Sequence, residues 1–245
     1  MLMGEPMSWA VVVAAGSGRR MGSALPKQFL TVNRRSILAH CLRALLSHPA
    51  VLGAVVALPR GYVRYTREKI LARERLGKPV VLVVGGPERS ESVVRALRLV
   101  PPDVSHVIIH DGVRPCVPHA LIDRLLDGAF RWGAAIPGLR ATDTLKEIGP
   151  DRSVVRTLER DQVVAVQTPQ AFRRELIERA YARIDRRRHT DCSSALEAVG
   201  VPVRVVEGAA ENIKVTTPID LAVLGALLGS RDPRPAAGAV RRRRT

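Results

Sequence analysis

Glycines and cations gather at the end of a short apolar run. Val11-Val12-Val13-Ala14-Ala15 leads into Gly16-Ser17-Gly18-Arg19-Arg20-Met21-Gly22, and Pro26-Lys27 follows. The apolar run reads as a buried strand. The glycines let the chain turn sharply and bring backbone N–H groups close to a ligand. Arg19, Arg20 and Lys27 around one turn would repel one another without an anion between them. The combination points to polyphosphate. It is not the dinucleotide fingerprint, whose third glycine position is Met21, with Gly22 one residue late. Nor is it the phosphate loop, because no Gly-Lys-Ser/Thr follows. The plain structural alternative, a strand ending in a glycine turn, leaves the three cations unexplained.

Residues of the same kind recur at later strand ends. The cations are Arg20, Lys27, Arg114, Arg160 and Lys214, the hydroxyls Ser92, Thr144, Thr168 and Thr190, and the carboxylate Asp111. No His stands beside a Ser or Cys in a nucleophilic arrangement, and His40, His48 and His189 read as structural. A set poor in acid–base groups and rich in cations suits phosphoryl or nucleotidyl transfer, where alignment and charge neutralisation do most of the work. Magnesium is expected as the ion that a triphosphate brings with it.

These residues need a frame. The chain has 245 residues, 46% hydrophobic and only 3% aromatic, so the core must be built from Val, Leu, Ala and Ile. Strands are expected at Ala54–Leu58, Pro79–Val84, His106–His110 and Ala134–Pro137. They alternate with helices at Ile37–Ser47 (capped by Ser36), Tyr62–Leu76, Glu88–Val100 and Pro118–Trp132. That alternation predicts an α/β fold, a Rossmann-like, mostly parallel sheet with helices on both faces and ligands at the carboxyl ends of its strands. Asp143–Ile148 and Ser153–Glu159 flank the turn Gly149-Pro150-Asp151-Arg152 and read as a β-hairpin arm, about residues 139–161. Such an arm is marginal alone and needs something to pack on, so a homodimer is expected. Val163–Val166 returns to the sheet. Helices at Arg173–Asp185 and Asp191–Val199 (capped by Thr190), strands at Val203–Glu207 and Asn212–Val215, and a helix from Pro218 to Leu228 complete one domain, 8–228. Residues 229–245 read as a disordered basic tail.

The remaining composition narrows the function classes. Cys41, Cys116 and Cys192 have neither metal-ligand nor redox spacing and suit a reducing cytoplasm. No apolar run is long enough to span a bilayer, and Met1–Ser8 lacks the regions of a secretory signal. The net charge of +16 is spread over Arg186-Arg187-Arg188, Arg241–Arg244 and single arginines, with no RNA-binding aromatic motif. Small anionic substrates account for it as well as nucleic acid does, and nucleic acid is not expected as the partner.

Taken together, the motifs resemble those of the 2-C-methyl-D-erythritol 4-phosphate cytidylyltransferases of the non-mevalonate isoprenoid pathway. The matching stretches are Ala14–Met21, Pro26-Lys27-Gln28-Phe29-Leu30, Gly85-Gly86 with Glu88-Arg89 and Ser92-Val93, His110-Asp111 with Arg114-Pro115, Asp143-Thr144, Thr168-Pro169-Gln170, Thr190-Asp191 and Asn212–Thr216. Their order covers about Ala10 to Leu228. The resemblance implies attack of the methylerythritol phosphate oxygen on the α-phosphorus of CTP, releasing pyrophosphate. It implies that Arg20 and Lys27 stabilise the transition state and that Arg160 and Lys214 position the attacking phosphate. Ala14, Ala15, Gly16, Gly18, Gly86 and Ser92 are implied as CTP contacts. Asp111, Arg114, Thr144, Thr168 and Thr190 are implied as substrate contacts, with Thr144 and Arg160 serving the neighbouring subunit. The chain departs from the family pattern at Pro87, at Gly112-Val113, and at Cys192, where an acidic residue is usual. Two alternatives remain at this level: the same chemistry on another polyol phosphate such as ribitol 5-phosphate, and a non-catalytic basic binding module.

Overall fold

The structure is a computed structural model that describes residues 7–16, 25–185 and 191–231. Gly18, Arg20 and Thr190 lie outside the described residues, as does the chain beyond 231. In chain order the elements are β1 (Ser8–Val13), β2 (Thr31–Val32), β3 (Arg35–Ser36), α1 (Ile37–Leu46), β4 (Val51–Leu58), α2 (Val63–Tyr65), β5 (Val80–Val84), α3 (Arg89–Leu97), β6 (His106–Asp111), α4 (His119–Trp132), β7 (Ala134–Arg140), β8 (Lys146–Ile148), β9 (Val154–Thr157), β10 (Val164–Val166), β11 (Gln170–Arg173), α5 (Arg174–Arg183), α6 (Ser193–Glu197), β12 (Arg204–Glu207) and α7 (Pro218–Arg231).

Four strands form the parallel centre in the order β6-β1-β4-β5. Their alternation sorts the core onto two faces. Ala10, Val12, Ala54, Val56 and Ile108 meet the apolar sides of α1 and α4. Val11, Val55, Val107 and Ile109 meet α3, α5 and α6. Each such Val, Leu or Ile withdrawn from water contributes about 1.5–3 kcal/mol. The expected helices on both faces are thus present. So is the Ser36 cap, whose Oγ accepts from the N–H of Ala39 at 3.1 Å.

Beyond β6 the sheet changes direction. β11 runs antiparallel between β6 and β7, β10 runs antiparallel to β7, and β12 pairs with β7 in parallel. The strand β11 is not among the expected elements: its four residues begin and end on polar side chains, and neighbouring strands on both sides supply the pairing.

Three other expectations change. The helix expected over Tyr62–Leu76 is broken into a 3-10 turn, a short α turn, a π-helical turn over Thr66–Ile70 and a second 3-10 turn. Tyr62 and Tyr65 pack on Phe29 with ring centroids at 4.8 and 5.5 Å, which draws this segment onto the Lys27–Phe29 turn. Asn212–Val215 is not a strand. The N–H of Asn212 closes a local turn onto the carbonyl of Ala209, and the N–H of Val215 donates to the carbonyl of Val113, while the Asn212 side chain is itself a clamp. The last helix continues three residues past Leu228, to Arg231. The arm forms as expected, with β8 and β9 paired antiparallel and exposed along their length.

Candidate functional site

The carboxyl ends of the parallel strands deliver the candidate residues to one place. β1 ends at Val13 and runs on through Ala14, Ala15 and Gly16, β5 runs into Gly85-Gly86, and β6 ends at Asp111. Together with the Lys27–Phe29 turn and the segment carrying Lys214 they enclose a cavity of about 240 Å³. Ala14, Ala15, Gly16, Gly86 and Ser92 line it together with Lys27, Asp111 and Lys214. A Cβ at Gly85 would collide with the Cβ of Ala15 and lie 2.8 Å from the Ser92 hydroxyl, so the strand ends meet this closely only with glycine there.

Two side chains hold the loop backbones in shape. Gln28 is buried, and its Nε2 donates to the carbonyls of Ala14 at 2.7 Å and Gly16 at 3.0 Å. Lys27, one residue earlier, is thereby tied to the loop that follows β1. Ser92 sits in the first turn of α3, where its hydroxyl accepts from the N–H of Gly86 at 3.0 Å and donates to the carbonyl of Glu88 at 3.1 Å.

Asp111 is the electrostatic centre. Its Oδ1 accepts from Arg89 Nη2 at 3.1 Å and Nε at 3.2 Å, and its Oδ2 meets Lys214 Nζ at 2.8 Å. Burial alone would raise the carboxyl's pKa, yet Arg89 and Lys214 hold it well below the usual carboxylate range. Behind it, the N–H of Asp111 donates to Thr168 Oγ1 at 3.0 Å, and Thr168 Oγ1 lies 3.1 Å from His110 Nδ1. His110 Nε2 lies 2.9 Å from the carbonyl of Arg114, which can only accept. Nε2 therefore carries a proton, and in the neutral ring Nδ1 accepts from the Thr168 hydroxyl. Burial pushes the His110 pKa down to about 4, in agreement with that assignment.

Thr168 and Arg114 thus stand beneath the cavity rather than on its wall. Arg114 Nη1 donates to the carbonyl of Asn212 at 2.8 Å, and Asn212 Nδ2 donates to the carbonyl of Thr168 at 2.8 Å, closing a frame around the segment that carries Lys214. Thr144 and Arg160 are exposed on or beside the arm and do not line the cavity.

Arg89 joins the site although the sequence placed it only within a matching stretch. It is the first residue of α3, where a cation opposes the helix dipole, and that local conflict is the signal that finds it. Its Nη1 also donates to Cys192 Sγ at 3.1 Å. The neighbouring Asp191 accepts from the N–H of Ser194 in the first turn of α6 at 3.1 Å and from Gln170 Nε2 at 2.8 Å.

Comparison with known proteins agrees with this geometry. Residues 8–230 match the family model described as 2-C-methyl-D-erythritol 4-phosphate cytidylyltransferase. A protein of that name from Syntrophus aciditrophicus is 40% identical over 232 residues, covering 94% of this chain and 99% of its own. One from Frankia casuarinae is 42% identical over 233 residues, covering 94% and 84%. The crystal structure of the cytidylyltransferase from Thermus thermophilus superposes with a TM-score of 0.72 at 33% identity, over 89% of this chain and 97% of that one. The structure of 4-diphosphocytidyl-2C-methyl-D-erythritol synthase from Anaerococcus prevotii gives 0.78 at 28% identity, over 92% and 99%. The chain belongs to the 2-C-methyl-D-erythritol 4-phosphate cytidylyltransferase family.

Proposed function

We propose that this chain transfers the cytidylyl group of CTP to 2-C-methyl-D-erythritol 4-phosphate, releasing pyrophosphate and giving 4-diphosphocytidyl-2-C-methyl-D-erythritol for isoprenoid precursor synthesis. The observation that carries this reading is the Asp111 carboxylate held between Arg89 and Lys214 at the mouth of a glycine-walled strand-end cavity, in a chain of this family. The base and ribose of CTP fit the wall of Ala14, Ala15, Gly16, Gly86 and Ser92. Lys27, with Arg20 from the adjoining loop, neutralises charge growing on the α-phosphate as the polyol phosphate attacks in line. Lys214, oriented by Asp111, steers the attacking phosphate. The pyrophosphate leaves with its own charge, so no side chain need supply a proton.

Magnesium fits this donor set as an ion held chiefly by substrate oxygens. Among the described residues no group of three or more ligating side chains forms a protein cage, and both Asp111 oxygens face cations. When bound it would screen the triphosphate charge. A cytoplasmic homodimer completes the reading. The three cysteines are buried and form no disulfide, and the arm exposes Ile148, Val154 and Val155 at 56–60%. Thr144 and Arg160 would then serve the neighbour's cavity.

The test is pyrophosphate release from CTP and magnesium with either methylerythritol 4-phosphate or ribitol 5-phosphate as acceptor. Faster turnover with ribitol 5-phosphate, or none with either, would overturn the reading.

A further inference from the structure

A second, larger concavity of about 1280 Å³ lies behind the catalytic turn. Its floor is apolar, made by Phe29, Ala39, Tyr65, Ile70 and Leu228. Its rim is basic. Arg35 is paired with the buried carboxylate of Glu74 at 3.3 Å, and Arg43 meets the same carboxylate at 3.4 Å. Arg34, Lys69 and Arg73 are exposed on the rim, and no described carboxylate pairs with any of them. Three exposed cations line one groove, and an anion seated in it would meet the combined field of all three.

Two backbone features shape the groove. Arg34 has φ +67° at the tip of the β2–β3 hairpin, a left-handed position that glycine would occupy at lower cost. What an arginine adds there is a guanidinium on the rim. The π-helical turn Thr66–Ile70 breaks the helical register, placing Lys69 on the rim and Ile70 on the floor.

We propose that this groove is a second ligand site, for a small amphipathic anion with an aliphatic body and a phosphate-type head, and that its occupant modulates CTP binding. The link to the active site is one short turn. Phe29 lines the groove, while Lys27 and Gln28 of the same 3-10 turn line the catalytic cavity. Gln28 in turn holds the carbonyls of Ala14 and Gly16. A ligand that presses on Phe29 and Tyr65 moves Lys27 against the triphosphate.

Octyl phosphate carries the required chemistry, with inorganic phosphate as head alone and octanol as body alone. Calorimetry on the full chain at saturating CTP is expected to show octyl phosphate binding at least about tenfold tighter than either fragment. Arg34→Glu/Arg73→Glu is expected to weaken that binding about tenfold or more and to leave basal turnover unchanged; the milder Arg34→Gln/Arg73→Gln pair serves if the first misfolds. Octyl phosphate is also expected to shift the dissociation constant of CTP about threefold or more, in the parent chain but not in the variants. Loss of binding when CTP is added, equal binding by the charge-removed variants, or inorganic phosphate matching octyl phosphate would each overturn the proposal. So would a loss of self-association in the variants by sedimentation, which would make the groove an interface between copies. Octyl phosphate binding is measured without the polyol phosphate, so its failure and that of the transfer reaction are separate results.

Discussion

Lys214 Nζ lies 2.8 Å from Asp111 Oδ2, and Arg89 grips the other oxygen of the same carboxylate. The two cations are not equivalent. Arg89 starts a helix and depends on Asp111 to offset the dipole, whereas the Lys214 side chain is 43% exposed. Asp111→Asn leaves a largely buried guanidinium uncompensated and is expected to destabilise the fold by about 2–3 kcal/mol. Lys214→Gln leaves Asp111 paired with Arg89, so its stability is expected to stay within about 1 kcal/mol of the parent, while turnover falls on the order of 100-fold. Urea unfolding and steady-state kinetics on the same preparations separate the two effects. Equal destabilisation by both substitutions would contradict this division.

Lys27 offers a sharper kinetic test. Its position comes from its neighbour Gln28, which fixes the turn by two hydrogen bonds, so truncating Lys27 removes a charge without releasing the loop. Lys27→Ala is expected to lower kcat by about 10²–10³ with only a few-fold change in CTP affinity. Gln28→Ala is expected to weaken CTP binding as well, because the carbonyls of Ala14 and Gly16 lose their donor. A near-normal kcat for Lys27→Ala would remove it from the transition state.

His110 predicts a pH dependence of stability. Its folded pKa, about 4, lies below the ordinary 6.5 because the ring is buried, so the unfolded chain binds its proton more readily. Its contribution is complete above pH 6.5 and is lost as pH falls from there towards 4, a total of about 3 kcal/mol. Asp111 also has a depressed pKa, but its contribution is lost at lower pH, below the ordinary carboxylate value of 3.8. His40 and His106, likewise lowered by burial, act in the same sense as His110. The comparison is therefore between the parent chain and His110→Gln, whose stability should slope less across pH 4 to 6.5. Thr168→Val, which leaves Asp111 N–H and His110 Nδ1 without their partner, should cost about 2 kcal/mol at about pH 7. Parallel pH profiles for parent and His110→Gln would refute the neutral-imidazole assignment.

The legibility of this fold in its sequence was uneven, for physical reasons. β1 and β4 are largely apolar runs and β6 has the apolar centre Val107–Ile109, all buried on both faces, and such strands announce themselves. The polar residues just past them could be grouped because a parallel sheet collects its strand ends. Ala14, Ala15, Gly16, Lys27, Gly86, Ser92, Asp111 and Lys214 do share one cavity. What could not be read was partnership between side chains. Thr168 looks like any strand-end hydroxyl, but both its hydrogen-bonding roles are taken by Asp111 and His110. Arg114 is turned to the Asn212 carbonyl. The Tyr62–Leu76 segment is helical as far as Arg73 but passes through 3-10, α and π turns, and the packing of Tyr62 and Tyr65 on Phe29, a long-range contact, is not visible in its own residues.

The arm is the remaining test, since its two strands expose their apolar side chains to solvent. Ile148 and Val154 are register partners across β8 and β9, which puts both on one face, each more than half exposed. A two-stranded hairpin with such a face is not stable alone in water, and a second copy of the chain would cover it. Ile148→Asp/Val154→Asp is expected to shift sedimentation from dimer to monomer without unfolding the sheet, because the arm contributes no residue to any of the three core clusters. Turnover should fall with it if Arg160 reaches the neighbour's cavity. Mixing Arg20→Ala chains with Arg160→Ala chains then asks the same question by complementation. If Arg160 acts across the interface, some mixed dimers carry one intact site, and activity returns above that of either parent. Proven exchange of subunits with no recovered activity would confine each active site to a single chain.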